Sequence, residues 1–171
     1  MNKARLKVTL KCNKTCEYCI NKSQEYRSKW TKISMVNEVM WGQYRSVVIS
    51  GGEPLMHDNL DNILYLVRSS TDAPIYLQTN GMLLTKPFVK QIDNYIDGIG
   101  LSIHDVDEFK HLYTRFKDIL RIKPIQLYIQ DTIAHQYRFT VEDWVSDGFA
   151  IRTWSDGEFD ETEEIFILKE N

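Results

Sequence analysis

Short apolar runs alternate along this chain with longer stretches whose apolar residues recur every three or four positions. The short runs lie at 5–11, 46–50, 74–79, 99–103, 125–129 and 149–154. Their length and their Val and Ile content predict six strands. In the fifth, Ile125, Leu127 and Ile129 alternate strictly with polar residues. The longer stretches predict helices. One covers 32–44, with Ile33, Val36, Val39, Met40 and Tyr44 on one face. A second covers 58–69, with Leu60, Ile63, Leu64 and Val67. A third runs from an N-cap at Thr85 to about Tyr95. A fourth covers 106–120, and a short one 141–145. Strands that alternate with helices predict an α/β fold, a parallel sheet with right-handed crossovers. Six such units predict an open, partial (β/α)6 barrel, because a closed eightfold barrel takes about 250 residues.

Composition narrows this picture modestly. The 171 residues suit one domain, 1–171, around a single core. The net charge of −3 gives no reason to expect nucleic-acid binding. Lys3, Arg5, Lys7, Lys11 and Lys14 crowd the N-terminal stretch. They read as a solvated basic edge, or as a dock for an acidic electron donor or a polyanionic substrate. No apolar stretch reaches membrane-spanning length, and the N-terminus has no hydrophobic signal segment. The acidic run at 160–164 reads as a solvated connection to a final apolar piece at 165–168.

The chemistry concentrates in a loop at 12–22. Cys12, Cys16 and Cys19 are the chain's only cysteines, in the spacing C-x3-C-x2-C. Reduced, clustered thiols suit the cytoplasm better than a disulfide framework. Three thiolates can hold three irons of a cubane [4Fe–4S] cluster and leave the fourth open. A structural zinc would need a fourth ligand, such as His57 or His104. Further polar segments follow the predicted strands. They are Gly51-Gly52-Glu53-Pro54 after the second, Thr79-Asn80-Gly81 after the third, and Ser102-Ile103-His104-Asp105 at the end of the fourth. Strand C-terminal ends are where α/β folds place their sites.

With these residues in that order, the chain resembles the radical S-adenosylmethionine (SAM) superfamily over roughly its first two-thirds. The resemblance implies a partial (β/α)6 barrel with two cofactors, a [4Fe–4S] cluster and SAM. Cys12, Cys16 and Cys19 would be the cluster ligands. SAM would chelate the open iron, and its one-electron cleavage would give a 5′-deoxyadenosyl radical that takes hydrogen from a substrate. Tyr18 would lie near the adenine. Gly51, Gly52, Glu53 and Pro54 would recognise the methionyl amine, with Glu53 as hydrogen-bond acceptor. Thr79, Asn80 and Ser102 would serve the SAM carboxylate and ribose. Electrons would come from a donor of the flavodoxin or ferredoxin type.

Bland readings stand beside several of these. Asn80-Gly81 is also a plain turn former, and Tyr18 a packed loop aromatic. His104 and Asp105 could touch substrate, or Asp105 could simply cap the next helix. Ile151 and Arg152 border the adenine in one reading. His111, His135, Trp30, Trp41, Trp144 and Trp154 read as packing or surface residues. The short chain with no further cysteines predicts no auxiliary cluster. It also predicts a substrate that helps to close the site, a peptide or protein, or a small molecule held by a second subunit. Ser50 to Leu60, with Cys19 to Ser23, looks somewhat like the activase of anaerobic ribonucleotide reductase, a glycyl-radical enzyme. Modification of a ribosomal peptide or a nucleobase is a further reading. From other classes come a non-catalytic cluster-binding partner or sensor, and a zinc-binding interaction module.

Overall fold

Every strand pair among the described residues is parallel. The computed structural model describes residues 2–16, 19, 29–154 (Trp30 by its backbone alone) and 163–169. Its strands are β1 (Lys3–Lys7), β2 (Lys29–Thr31), β3 (Val47–Ser50), β4 (Ile75–Thr79), β5 (Gly98–Ile103), β6 (Ile125–Gln130), β7 (Ala150–Trp154) and β8 (Glu163–Leu168). The helices are α1 (Leu60–Arg68), α2 (Lys86–Ile92), α3 (Val106–Leu120), α4 (Asp131–Gln136) and α5 (Arg138–Ser146). The sheet order is β2-β8-β1-β3-β4-β5-β6-β7. From β1 to β7, leaving out β2, the strands follow chain order across the sheet, as successive βα units require. Among the described residues β2 and β7 are unpaired edges, so the barrel is partial and open.

Four expectations need correction. Among the described residues the sheet has eight strands rather than six. The apolar piece at 165–168 is part of β8, and it enters beside β1 instead of trailing from the fold. There it satisfies the backbone groups on the flank of β1 that β3 leaves unpaired. The expected helix at 32–44 is two 3-10 segments, Ile33–Glu38 and Trp41–Gln43. Val39 and Met40 between them are not helical, with ψ of 131° and 66°. Burial of Trp41 overrides the helical periodicity. Its indole N–H donates to the Val36 carbonyl at 2.7 Å, and its ring meets Phe166 of β8 edge-on at 5.1 Å. Finally, the short helix at 141–145 belongs to the longer α5, and α4 precedes it.

The register separates two faces of the sheet. On one, Leu6, Ile49, Leu77, Leu101 and Leu127 are fully buried. They form one core with Leu60, Ile63, Leu64 and Val67 of α1 and Val106, Phe109, Phe116 and Ile119 of α3. The 3.6-residue period of those helices exists to cover this face. Caps fix where they start. The Thr85 hydroxyl accepts from the Phe88 N–H at 3.4 Å. The Asp105 carboxylate accepts from the N–H groups of Asp107 and Glu108, at 2.8 and 3.2 Å. The other face is the inner face of the partial barrel, and it carries many polar residues among a few apolar ones such as Val48 and Ile167. The pairings Arg5↔Val48, Lys7↔Ser50, Gly100↔Gln126, Ser102↔Tyr128 and Tyr128↔Arg152 lie on it. A parallel sheet is usually apolar on both sides. One polar side marks a lumen meant for a ligand.

Candidate active site

Parallel strands bring every motif to one end of the barrel. After β1 the chain does not turn away. Residues 8–11 run on beside the end of β3, with hydrogen bonds Val8 N–H to Ser50 O at 2.9 Å, Gly52 N–H to Thr9 O at 2.8 Å and Glu53 N–H to Lys11 O at 2.8 Å. The two glycines make this approach possible. A Cβ on Gly51 would lie 2.5 Å from the Thr9 carbonyl oxygen. On Gly52 it would lie 2.3 Å from that of Lys11 and 2.6 Å from that of Leu10. Only glycine fits, because the obstacles are backbone. The Gly-Gly pair therefore seats the root of the cysteine loop, and its own backbone remains half-exposed.

Glu53 lies behind that turn, closed to solvent. Its Oε1 accepts from the Thr79 hydroxyl at 2.7 Å and the Leu55 N–H at 3.1 Å, and its Oε2 from the Asn80 N–H at 2.9 Å. The carboxylate is thus a strut between the ends of β3 and β4. Burial pushes its pKa up, while the bonds from Thr79, Asn80 and Leu55 and the charge of Lys14 pull the other way. Thr79 Oγ1 also accepts from the Gly81 N–H at 3.0 Å. Pro54, buried, opens the short 3-10 turn that follows Glu53.

Side-chain contacts tether the cysteine loop to the rest of the rim. Asn80 Nδ2 donates to Asn13 Oδ1 at 2.7 Å. Lys14 forms an ion pair with Glu108 in the first turn of α3. Cys12 is exposed, and Cys16 and Cys19 are half-exposed. Burial pushes the Cys12 thiol up, and the charges of Glu53, Cys16 and Cys19 add to the rise. The Lys14 backbone N–H, which donates to its sulfur, opposes it. Among the described residues, no three His, Cys, Asp or Glu side chains close around one point. Three thiolates could each take a separate iron of a cluster. Tyr18 lies outside the described residues.

Ser102 faces the lumen at the end of β5 and accepts from Gln78 Nε2 at 3.4 Å. Gln78 Oε1 accepts from Arg5 at 2.8 Å. Arg5 in turn grips Glu163 of β8 with two bonds, at 2.7 and 3.1 Å. This chain of side chains crosses the inner face, and the sequence reading missed it. Arg5 and Lys7 read there as a basic edge, yet Lys7 is 1% exposed. The signal was present in their alternation with Leu6 and Val8. His104 stands beside Lys14 and Glu108. Burial and the Lys14 charge push its pKa down, with Glu108 opposing. Asp105 is the α3 cap. Ile151 turns to the helix face, where it packs on the core, whereas Arg152 faces the lumen. Trp41 and Trp144 are buried packing residues. A separate cleft between α3 and α5, lined by Lys110, Tyr113, Asp143 and Trp144 among others, touches none of the motifs.

The model of the radical SAM superfamily matches residues 6–163. A probable GTP 3′,8-cyclase of Methanococcus maripaludis is 32% identical over 112 residues, which are 63% of this chain and 38% of that protein. An S-adenosylmethionine-dependent nucleotide dehydratase of a Thermoplasmatales archaeon is 27% identical over 107 residues, 61% of this chain and 38% of the other. The chain thus spans about two-fifths of the length of these relatives. Among solved structures, Streptococcus suis SuiB bound to S-adenosylmethionine superposes with a TM-score of 0.68 over 95% of this chain and 42% of its own, at 17% identity. That likeness is one of fold. With the match spanning nearly the whole chain, this protein belongs to the radical SAM superfamily, whose cofactors are a [4Fe–4S] cluster and S-adenosylmethionine.

Proposed function

We propose that this enzyme cleaves SAM reductively and uses the resulting radical to abstract hydrogen from a nucleotide. The observation that carries the first part is the seating of the root of the cysteine loop against Gly52 and Glu53, with Asn80 bonded to Asn13 of that loop, at one end of the barrel. Cys12, Cys16 and Cys19 hold the cluster in this reading. The half-exposed backbone of Gly51 and Gly52 meets the SAM amine, and Glu53 fixes that turn from behind. Asn80 and Ser102 face the carboxylate and ribose. Bound there, the cluster and SAM supply a one-electron cleavage that yields a 5′-deoxyadenosyl radical. Lys14 and Glu108 keep the loop in place, and the lumen walls limit what the radical can reach. An external donor, of flavodoxin or ferredoxin type, provides the electron.

The substrate reading rests on the two relatives named above, both of which are described as acting on nucleotides. The expectation of a peptide or protein substrate came from chain length. The chain spans only about two-fifths of these relatives, so length does not bear on what covers the lumen. Anaerobic reconstitution, reduction with dithionite and mass spectrometry of 5′-deoxyadenosine test the reading. Product should form with SAM, rise when a ribonucleotide is added, and vanish in Cys16→Ala. A bound cluster with no product under any ribonucleotide would reject the nucleotide assignment. Zinc in place of iron and sulfide would reject the enzyme assignment as well.

A further inference from the structure

The inner face of the barrel is not uniform. At β1 and β3 it is closed, with Lys7 1% and Ser50 6% exposed. At β6 and β7 it is open, and Ala150 and Arg152 are exposed. Its cations differ in the same way. Arg5 is neutralised by the two-bond pair with Glu163. Among the described residues no carboxylate pairs with Arg152. Its guanidinium lies instead over the Tyr128 ring, 6.0 Å from the centroid. That ring lies down on the strand beside it, for a Cβ on Gly100 would be 2.8 Å from Tyr128 Cε2. The Tyr128 hydroxyl donates to Gln126 Oε1 at 2.9 Å. The Gln126 amide N–H groups make no hydrogen bond among the described residues.

A planar cation held against an aromatic face, with an amide donor on the neighbouring strand and no carboxylate pairing it among the described residues, has the chemistry of an oxyanion receptor. Arg suits phosphate because its fork offers parallel donors, and stacking keeps that fork oriented at little entropic cost. We infer that Arg152, with Gln126 beside it, binds the phosphate groups of the substrate, while Tyr128 positions the guanidinium. This rests on the nucleotide reading above and goes further by saying which end of the substrate lies where. The phosphates lie at β6–β7, and the nucleoside points toward the cysteine loop.

Titration calorimetry on the anaerobically reconstituted chain tests it, with GTP, ATP, guanosine, adenosine and SAM as separate probes. The wild-type protein should prefer a triphosphate to its nucleoside. Arg152→Ala should weaken triphosphate binding about tenfold to a hundredfold, the worth of a charge-assisted hydrogen bond. It should leave nucleoside and SAM affinities unchanged, and Arg152→Lys should recover part of the loss. Arg152 is exposed, so its replacement does not threaten the fold. An unchanged triphosphate preference in Arg152→Ala overturns the assignment, even if ribonucleotides still stimulate deoxyadenosine formation. An equal loss of SAM affinity also overturns it, by giving Arg152 to the cofactor. A wild-type protein that binds no triphosphate overturns both this inference and the nucleotide reading.

Discussion

Gly52 shows how tightly the site is built at the level of a residue. Its missing side chain would meet two carbonyl oxygens of the cysteine-loop root at 2.3 and 2.6 Å, and backbone cannot rotate aside. Gly52→Ala should cost on the order of 3 kcal/mol, read as a lower melting temperature of the metal-free protein, and should abolish cluster uptake. Intact melting behaviour would show that the loop root can shift. The Lys14–Glu108 pair behaves differently. With side chains 16% and 30% exposed, it should add less than about 1 kcal/mol to stability. Its effect is on the loop. Glu108→Gln should speed iron loss to a chelator several-fold with almost no change in melting. The charge swap Lys14→Glu with Glu108→Lys should restore retention. If the swap behaves like the single variant, the pair is incidental.

At the level of elements, α3 is the piece that joins core to site. Its buried face stacks Phe109 on Phe116 at 5.3 Å and meets Trp144 of α5 edge-on at 4.4 Å. Its Arg115 donates to the carbonyls of Gly81 and Met82, at 2.8 and 3.2 Å, and so holds the turn after β4. That turn needs Gly81, whose φ of +79° is left-handed. Trp144→Ala should cost about 3–5 kcal/mol in chemical denaturation, with little effect on SAM affinity, because Trp144 touches no rim residue named here. A large loss of SAM binding at preserved fold would mean that α5 reaches the site. The capping residues Thr85 and Asp105 were legible from sequence, since an N-cap acts within three residues. The helix expected at 32–44 was not. Its periodicity is genuine, but the Trp41 contacts to Val36 and Phe166 are long-range or non-helical and outweigh it.

For the whole molecule, a buried and a half-buried ionisable group oppose each other in pH. His104 has its pKa lowered by burial and by Lys14. The native state resists its protonation, so its contribution is present above about pH 6.5 and is lost as pH falls through the lowered value. Glu53 has its pKa raised by burial. The native state favours its proton, so its contribution is present below the ordinary carboxylate range and is lost as pH rises through the raised value. His104→Gln should therefore flatten the decline in melting temperature below neutral pH, while Glu53→Gln should flatten the decline on the rising side. An unchanged profile in His104→Gln would mean that the imidazole titrates normally in the native state.

The chain alone determined the periods of its strands and most helices, the three-cysteine loop and the order of the polar segments. These depend on neighbours a few residues apart, or on residue types whose chemistry needs no partner. Tertiary structure alone decided the rest. It placed β8 beside β1 and Arg5 against Glu163, 158 residues away. It also turned Gly51 and Gly52 toward the loop root, and left Arg152 on the open side of the lumen over the Tyr128 ring. Such pairings depend on which strands lie side by side, and in a parallel sheet adjacency is set by crossovers and core packing. Local pattern says which face a residue takes, but not what it will face.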